Sequence, residues 1–466
     1  MPDRLTTQRT SQSSFDPLNV SLQPPPNETE EEKTLRLEAA RKAVQVSRNI
    51  DAGLAESRKA MDRKKRAVKI LLLGQSESGK SSVLRNFRLA FTPKFFETER
   101  LVWKTVIHLN LISSIKKILS VLQEEWEALE HDAPDAPNDT PLSSEHRRLA
   151  LSLSPLLAFE TSINQLIASD SSSGGYTVTV RPGGGWKDKI SSFGRSASAP
   201  ASPIDKSADP SQVMQVLAAC KDEIIALWED TAVRRLLNAR GVHLQEDAGF
   251  FLDDTARVAA IDYVPLDRDI MRARIRTLGV EEHRFITESG FRAGTEFFIT
   301  DVCGSSSQRS TWIPYFDDMQ AILFLAPLAF WQSLDEDKNV NRVQDSLEIW
   351  REIVGNRLLA KTAFILLFNK KDVLQAHIAA GVPVKKYVPS YGDRPNDVAS
   401  VTKYFRDKFS AYHRKFSPVP RPFIFYETEA IDTKSTAIIL GEVQEQIIRN
   451  HLKDLDVIFT HAGERI

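Results

Sequence analysis

The sequence predicts an α/β fold: a P-loop nucleotide-binding domain on a mostly parallel sheet, interrupted by an inserted all-α domain. Three observations carry this. An apolar, β-prone run at 68–73 ends in Gly74-Gln-Ser-Glu-Ser-Gly79-Lys80-Ser81, and the helix-compatible Ser82-Val-Leu-Arg-Asn-Phe87 follows. That is Gly-x-x-x-x-Gly-Lys-Ser in its strand–loop–helix setting. Short apolar runs near 296–302, 321–326, 362–368 and 422–426 alternate with helical patterns, the arrangement of a sheet covered on both faces. Between these two regions apolar residues recur every three or four positions, the period of amphipathic helices.

Residues 1–28 are rich in Ser, Thr, Pro and Gln and are expected to be disordered. Residues 29–66 read as one long charged helix that closes on Arg58, Lys59, Arg63, Lys64, Lys65 and Arg66. Such a cluster is a solvated face, a contact for an anionic membrane surface, or a contact for a partner subunit. The nucleotide-binding domain is expected at 67–92 and 266–466. The inserted helical domain is expected at 93–265, with helical patterns at 99–119, 144–168 and 213–238. Within it, 169–211 is dominated by Ser, Gly, Pro and Ala and reads as a disordered insertion. Trp331, Trp350 and Phe364 lie in apolar stretches and read as core.

Composition narrows the class. At 466 residues the chain is too long for one small core, and 42% hydrophobic with 26% charged residues is ordinary for a soluble protein. A formal net charge of −1 gives no global attraction to nucleic acid. Two cysteines, Cys220 and Cys303, make no disulfide framework and fit a reducing cytosol. No apolar run reads as long enough to span a bilayer, and the N-terminus lacks a signal-peptide core.

The phosphate loop carries its own chemistry. Its glycines let the backbone wrap a polyphosphate, and loop N–H groups with the following helix N-terminus point at the anion. Lys80 is placed for the β/γ-phosphates and the Ser81 hydroxyl for Mg²⁺. A second motif selects the base. The buried-strand pattern at 362–368 runs into Asn369-Lys370-Lys371-Asp372. A carboxylate at a strand end can accept from both N1–H and the 2-amino group of guanine. A buried carboxylate there would be left unpaired against adenine, at roughly 1–3 kcal/mol or more. GTP is therefore expected over ATP, with Asn369 and Lys370 bracing the loop.

These motifs carry a resemblance to the α subunits of heterotrimeric G proteins, in a divergent, fungal-like form, from about Arg41 to Phe459. Asp269-Ile-Met-Arg-Ala-Arg-Ile-Arg-Thr277-Leu-Gly279 resembles the family's first switch. Asp301-Val-Cys-Gly304 resembles the second, where the family has Asp-Val-Gly-Gly. The segment from Leu334 to Val343, with Glu348-Ile-Trp350, resembles the stretch between that switch and the guanine motif. Thr428-Glu-Ala430-Ile-Asp432-Thr433 is a degraded form of the loop that touches the guanine carbonyl, and 447–454 resembles the C-terminal helix.

The resemblance implies a Ras-like domain with an all-helical insert and GTP or GDP between them. It implies nucleotide contacts from Glu77, Ser78, Gly79, Lys80, Ser81, Ser82, Met271, Arg272, Arg274, Thr277, Asp301, Gly304, Asn369, Lys370, Asp372 and Ala430. Arg274 aligns with the arginine finger in cis. Ser81 and Thr277 would ligate Mg²⁺, with Asp301 acting through water. Asp254 and Thr255, in Leu252-Asp-Asp-Thr-Ala, align with the helical-domain contact, although the helix after them looks shortened. Implied partners are a βγ dimer and a seven-helix receptor; the effector is unspecified.

The chain departs from the family at defined points. The glutamine that orients the attacking water is replaced by Ser305, the preceding glycine pair begins with Cys303, and the second glycine of the phosphate loop is Ser76. The changes at Ser305 and Ser76 point to slow hydrolysis with binding retained. The segment between Gly279 and Asp301 is longer than the family norm. Pro2 replaces the glycine that N-myristoylation requires, and no cysteine lies near the N-terminus for palmitoylation. A cytoplasmic location with electrostatic contact at the inner membrane face is expected. The tail beyond Phe459, and Leu455-Asp456 in place of the family's Cys-Gly, weaken the expectation of receptor coupling. The altered second switch does the same for βγ. The expectation is a GTPase switch with slow turnover; the alternative is a non-catalytic GTP/GDP-binding interaction protein.

Overall fold

The computed structural model describes residues 28–131, 142–167, 179–180, 210–277, 279–288, 294–334 and 336–428, with seven single positions between 434 and 447. Helix α1 (Glu30–Arg66) belongs to a unit of its own. Thr29 starts it with a reciprocal cap: Thr29 N–H donates to Glu32 Oε2 at 3.0 Å, and Glu32 N–H donates back to Thr29 Oγ1 at 3.3 Å. The side chains of Arg63 to Arg66, the end of the basic cluster, lie outside the described residues.

The second unit begins with β1 (Val68–Leu73), which is buried along its whole length. It continues through α2 (Lys80–Phe91), α3 (Pro93–Thr98), α4 (Arg100–His131), α5 (Ser144–Ile167) and β2 (Thr179–Val180). The helices α6 (Pro210–Ala219), α7 (Lys221–Glu229) and α8 (Thr231–Ala239) follow. The 213–238 pattern is thus three helices rather than one. The break has a cause: Asp230 caps α8, accepting from Ala232 N and Val233 N at 2.7 and 3.0 Å. Helix α9 (Thr255–Val258) has a single turn, and α10 (Asp267–Arg272) leads back to the sheet.

Strand β3 (Arg276–Thr277) pairs with β2 alone, and the main sheet is then completed by β4 (Val280–Ile286), β5 (Glu296–Val302), β6 (Ala321–Pro327), β7 (Ala363–Asn369) and β8 (Ile424–Glu427). Helices α11 (Arg342–Gly355), α12 (Lys371–Ala379), α13 (Val384–Tyr387) and α14 (Val398–Phe416) connect the later strands. Six strands lie in the order β4-β5-β1-β6-β7-β8, all parallel except β4 against β5. Apolar clusters fill both faces, one around Phe324, Trp350 and Phe409, the other around Phe87, Phe297 and Ile299. Trp350 and Phe364 are core as expected; Trp331 is half-buried and stacks on His377 with ring centroids 3.6 Å apart.

Two expectations are corrected here. Within the segment expected to be disordered, Thr179–Val180 forms a strand that pairs in parallel with Arg276–Thr277; residues 168–178 and 181–209 lie outside the described residues. An alternation of Thr and Val can support extended backbone even in polar surroundings. Second, the 29 residues Arg100–Ala128 of α4 are long and apolar enough to cross a membrane, but 72% of the most apolar stretch is buried inside the protein. It is the central helix of the helical core: Val106, Ile107, Leu111, Ile115 and Leu122 are buried among its neighbours, while Lys104, Gln123, Glu124 and Glu127 keep a polar side toward solvent. That core continues without a break into Ile270, Met271 and Ala273, the segment that re-enters the nucleotide-binding domain.

His108 on α4 is buried with Nε2 on the carbonyl of Val258 at 3.1 Å, and burial pushes its pKa down to about 4. His413 is pushed to about 4 as well, by burial and by Arg421. The unfolded chain takes up protons near pH 6.5, so stability is full above that value and falls as pH drops toward 4. His108 alone is expected to remove up to about 3 kcal/mol over this window. Denaturant titrations of the wild type and His108→Leu at pH 7 and 5 check this. The difference between the two pH values should shrink in the variant; an unchanged difference would show that His108 is not the group.

Candidate functional site

Parallel register brings four strand ends to one edge. Leu72 lies level with Asp301, Leu73 with Phe324, Pro327 with Asn369, and Phe368 with Glu427. The phosphate loop, the Asp301–Gly304 turn, the Asn369–Asp372 turn and Thr428 at the end of β8 therefore converge, as ligand sites do at the carboxyl edge of open α/β sheets.

The loop conformation depends on its glycines. Gly74 has φ +142°, and a Cβ there would lie 2.5 Å from the Leu325 carbonyl oxygen. Gly79, at φ 101°, turns the chain into α2. Glu77 adopts φ 62° without that freedom. Asn369 ties the two motifs together, donating from Nδ2 to the Ser78 carbonyl at 2.8 Å. From the other side, Gln75 donates to the Arg342 carbonyl at 2.6 Å, and Arg342 donates to the Ser76 carbonyl at 3.0 Å. The loop is held by α11 and by the end of β7.

Lys80 is buried and donates to the carbonyls of Gly74 and Gln75, both at 2.9 Å. Burial lowers its pKa and raises that of Asp301, while each charge favours the other. Ser81 Oγ donates to Asp301 Oδ2 at 3.1 Å, and Asp301 Oδ1 is buried with no hydrogen-bond partner. A hydroxyl beside an orphaned carboxylate oxygen is a hard-oxygen donor set suited to Mg²⁺. Among the described residues no cluster of three His, Cys, Asp or Glu could hold a metal by itself.

A cleft beside the loop is lined by Ser76, Glu77, Lys80, Ser81, Arg272, Arg274 and Asp301, among others. Arg274 forms an ion pair with Glu77 Oε1, and Arg342 reaches Glu77 Oε2 at 3.1 Å. Ser82 Oγ donates to the Met271 carbonyl at 3.2 Å, joining α2 to the first-switch segment. Arg272 is turned to Asp254, at 2.8 Å, and to the Phe250 carbonyl, at 2.7 Å. Thr255 is buried and spends its hydroxyl on the Leu252 carbonyl at 2.7 Å. Asp254 and Thr255 thus brace the helical segment and Arg272. Thr277 contributes backbone to β3; its side chain is outside the described residues, as is Ala430.

Lys370 sits at φ 61° as the first α12 turn opens, and burial lowers its pKa. Asp372 follows in that first turn and is exposed. Thr428, just before Ala430, anchors the neighbouring loop with N–H on the Phe368 carbonyl at 2.6 Å.

The second switch lies directly on the phosphate loop. Ser76 N–H donates to the Gly304 carbonyl at 3.1 Å. A Cβ at Gly304 would lie 2.4 Å from Ser76 N and 2.3 Å from the Gln75 carbonyl carbon, so only glycine fits. Ser305 is 3% exposed, with its Oγ 3.2 Å from Cys303 Sγ, and it does not line the cleft; Ser76 does. A 3₁₀ segment, Ser306–Tyr315, follows, and Arg309 pairs with Asp345 at 2.7 and 2.8 Å.

Three contributors were not picked out from sequence: Gln75, Arg342 and Asn110. Gln75 fills an unconstrained position of the loop pattern. Arg342 falls in a segment that resemblance marked only as a whole. Asn110 is a polar residue inside an apolar helix, and that mismatch was the available signal.

The fold and the cleft define a P-loop nucleotide-binding protein. The G-alpha family model, described as G-protein alpha subunit, matches residues 44–447, and the chain belongs to this family. The guanine nucleotide-binding protein alpha-4 subunit of Mycosarcoma maydis is 32% identical, with 94% of this chain and 95% of that protein covered. The alpha-2 subunit of Neurospora crassa is 28% identical, over 88% and 95%. The human subunit alpha-12 is also 28% identical, over 90% and 91%. The protein is a guanine-nucleotide-binding signal transducer of a family whose members are GTPases.

Proposed function

We propose that this α subunit binds GTP and GDP with Mg²⁺ in the cleft beside Lys80 and hydrolyses GTP slowly. The observation that carries the reading is the Lys80–Ser81–Asp301 constellation at the end of β1, braced by the Asn369–Ser78 hydrogen bond. Lys80 offers its ammonium to the β/γ-phosphates, and Gly79 opens a helix whose N-terminal N–H groups face the same anion. Ser81 and Thr277 would hold Mg²⁺, with Asp301 acting through water, and the metal would supply charge neutralisation for the bound phosphates. Arg274, held by Glu77 at the cleft wall, is placed to stabilise charge developing on the transferred phosphoryl group. Gly304 brings its backbone against the phosphate loop where no side chain could fit.

Asp372 selects guanine. Asp372→Asn replaces an acceptor with a donor opposite guanine N1–H, and is expected to cut the GTP-to-ATP affinity ratio by about tenfold or more. Competition of GTP, ATP and xanthosine triphosphate for the purified variant tests it; an unaltered ratio would overturn the assignment.

Subunits of this family generally work with βγ dimers and receptors. The altered second switch and C-terminal sequence leave nucleotide binding as the more secure part of that role. Electrostatic membrane contact would rest on the basic end of α1, at about 1 kcal/mol per basic side chain near an anionic surface. The second reading, a GTP-binding interaction protein without turnover, is favoured by Ser305, a short side chain whose hydroxyl is engaged by Cys303 Sγ at 3.2 Å.

A further inference from the structure

We infer that Asn110, on the central helix of the inserted helical unit, is a positioning residue for Arg274. The inference rests on the reading of Arg274 as the group that stabilises the transferred phosphoryl charge. Asn110 lies on α4, 164 residues away in sequence, and is 5% exposed. Its Oδ1 accepts from Arg274 N–H at 2.7 Å, and its Nδ2 donates to the Arg274 carbonyl at 2.9 Å. One primary amide therefore satisfies both backbone groups of one residue, as a paired strand would. The partners also fix the amide orientation, since an N–H needs the oxygen and a carbonyl needs the nitrogen.

A two-point clamp restrains rotation as well as position. It leaves the guanidinium as the mobile end, and that end reaches Glu77 on the phosphate loop. Gly249 closes the clamp from the other side. Its N–H donates to the Arg272 carbonyl at 2.9 Å, and a Cβ at Gly249 would lie 2.8 Å from Arg274 Cβ and 3.0 Å from Asn110 Oδ1. Misplacing a charge-stabilising group by about 1 Å can cost up to about a hundredfold in rate. The helical unit thus does more than cover the nucleotide: it sets the registration of the arginine.

The test is a double-mutant cycle in single-turnover GTP hydrolysis, with Asn110→Leu, Arg274→Ala and the pair, alongside GDP affinity and melting temperature. Asn110→Leu is expected to slow hydrolysis about tenfold with GDP affinity within about twofold, and to have no further effect once Arg274 is alanine. Asn110→Asp keeps the acceptor and loses the donor, so its rate should fall between wild type and Asn110→Leu. Equal slowing by Asn110→Leu in both backgrounds would overturn the inference, since the residue would then act on the fold at large. So would an unchanged rate in Asn110→Leu and Asn110→Asp while Arg274→Ala is slow. An unchanged rate in Arg274→Ala would instead remove the reading of Arg274, and the inference with it. Should Asn110→Leu fail to fold, Asn110→Asp in the two backgrounds decides by the same comparison.

Discussion

Lys80→Ala should weaken GTP binding by at least about a hundredfold, the largest single effect expected in this protein. The ammonium is buried against the carbonyls of Gly74 and Gln75, and Asp301 favours its charged form. Removing it loses charge-assisted bonds to phosphate worth about 1.5–3 kcal/mol each, in a site where water is a poor substitute. It also leaves Asp301 without its nearest compensating cation, which raises the cost of bringing a polyphosphate close. Lys80→Met, which keeps most of the stem, separates charge from packing and should be nearly as weak. Titration of a fluorescent guanine nucleotide measures both; wild-type affinity in either variant would remove Lys80 from the phosphate site.

Turnover is the second large effect. Family members that carry their arginine in cis hydrolyse GTP at about 10⁻² s⁻¹. Here the rate in a single-turnover assay is expected to be at least about tenfold lower, roughly 1.4 kcal/mol in barrier. Ser305 is turned onto Cys303, and Ser76 occupies cleft wall where the family has glycine. Ser305→Gln alone should recover little, because Ser76 still crowds the space a glutamine amide would need. Ser76→Gly with Ser305→Gln should recover more than the two single changes combined. A wild-type rate near 10⁻² s⁻¹ would defeat the argument and point to another group that positions the water.

Much of this was legible in the sequence because the signals are local. The phosphate loop is a contiguous pattern whose glycines have steric reasons, and it predicts strand, loop and helix together. The guanine motif follows a strand whose apolar run announces burial. What sequence could not show is set by long-range geometry. The 213–238 pattern keeps a helical period through Cys220 and Asp230; the cap at Asp230 accounts for the second break, and no side-chain cap marks the first. Helix α4 has the composition of a membrane span, and only its neighbours show it to be a core. The resemblance marks Asp254 and Thr255 only as a helical-domain contact, and the local turn that commits the Thr255 hydroxyl to the Leu252 carbonyl could not be read from it. Asn110 meets Arg274 across 164 residues, a pairing no spacing rule contains.

The close approach at Gly304 has a consequence for how the departures from the family should be counted. With the backbones of Gly304, Gln75 and Ser76 in contact, the phosphate loop and the second switch mesh like two teeth of one gear. A side chain added on one tooth changes where the other can rest. Ser76, Cys303 and Ser305 therefore share one close contact between the phosphate loop and the second switch, so a substitution at any of them bears on the fit of the others.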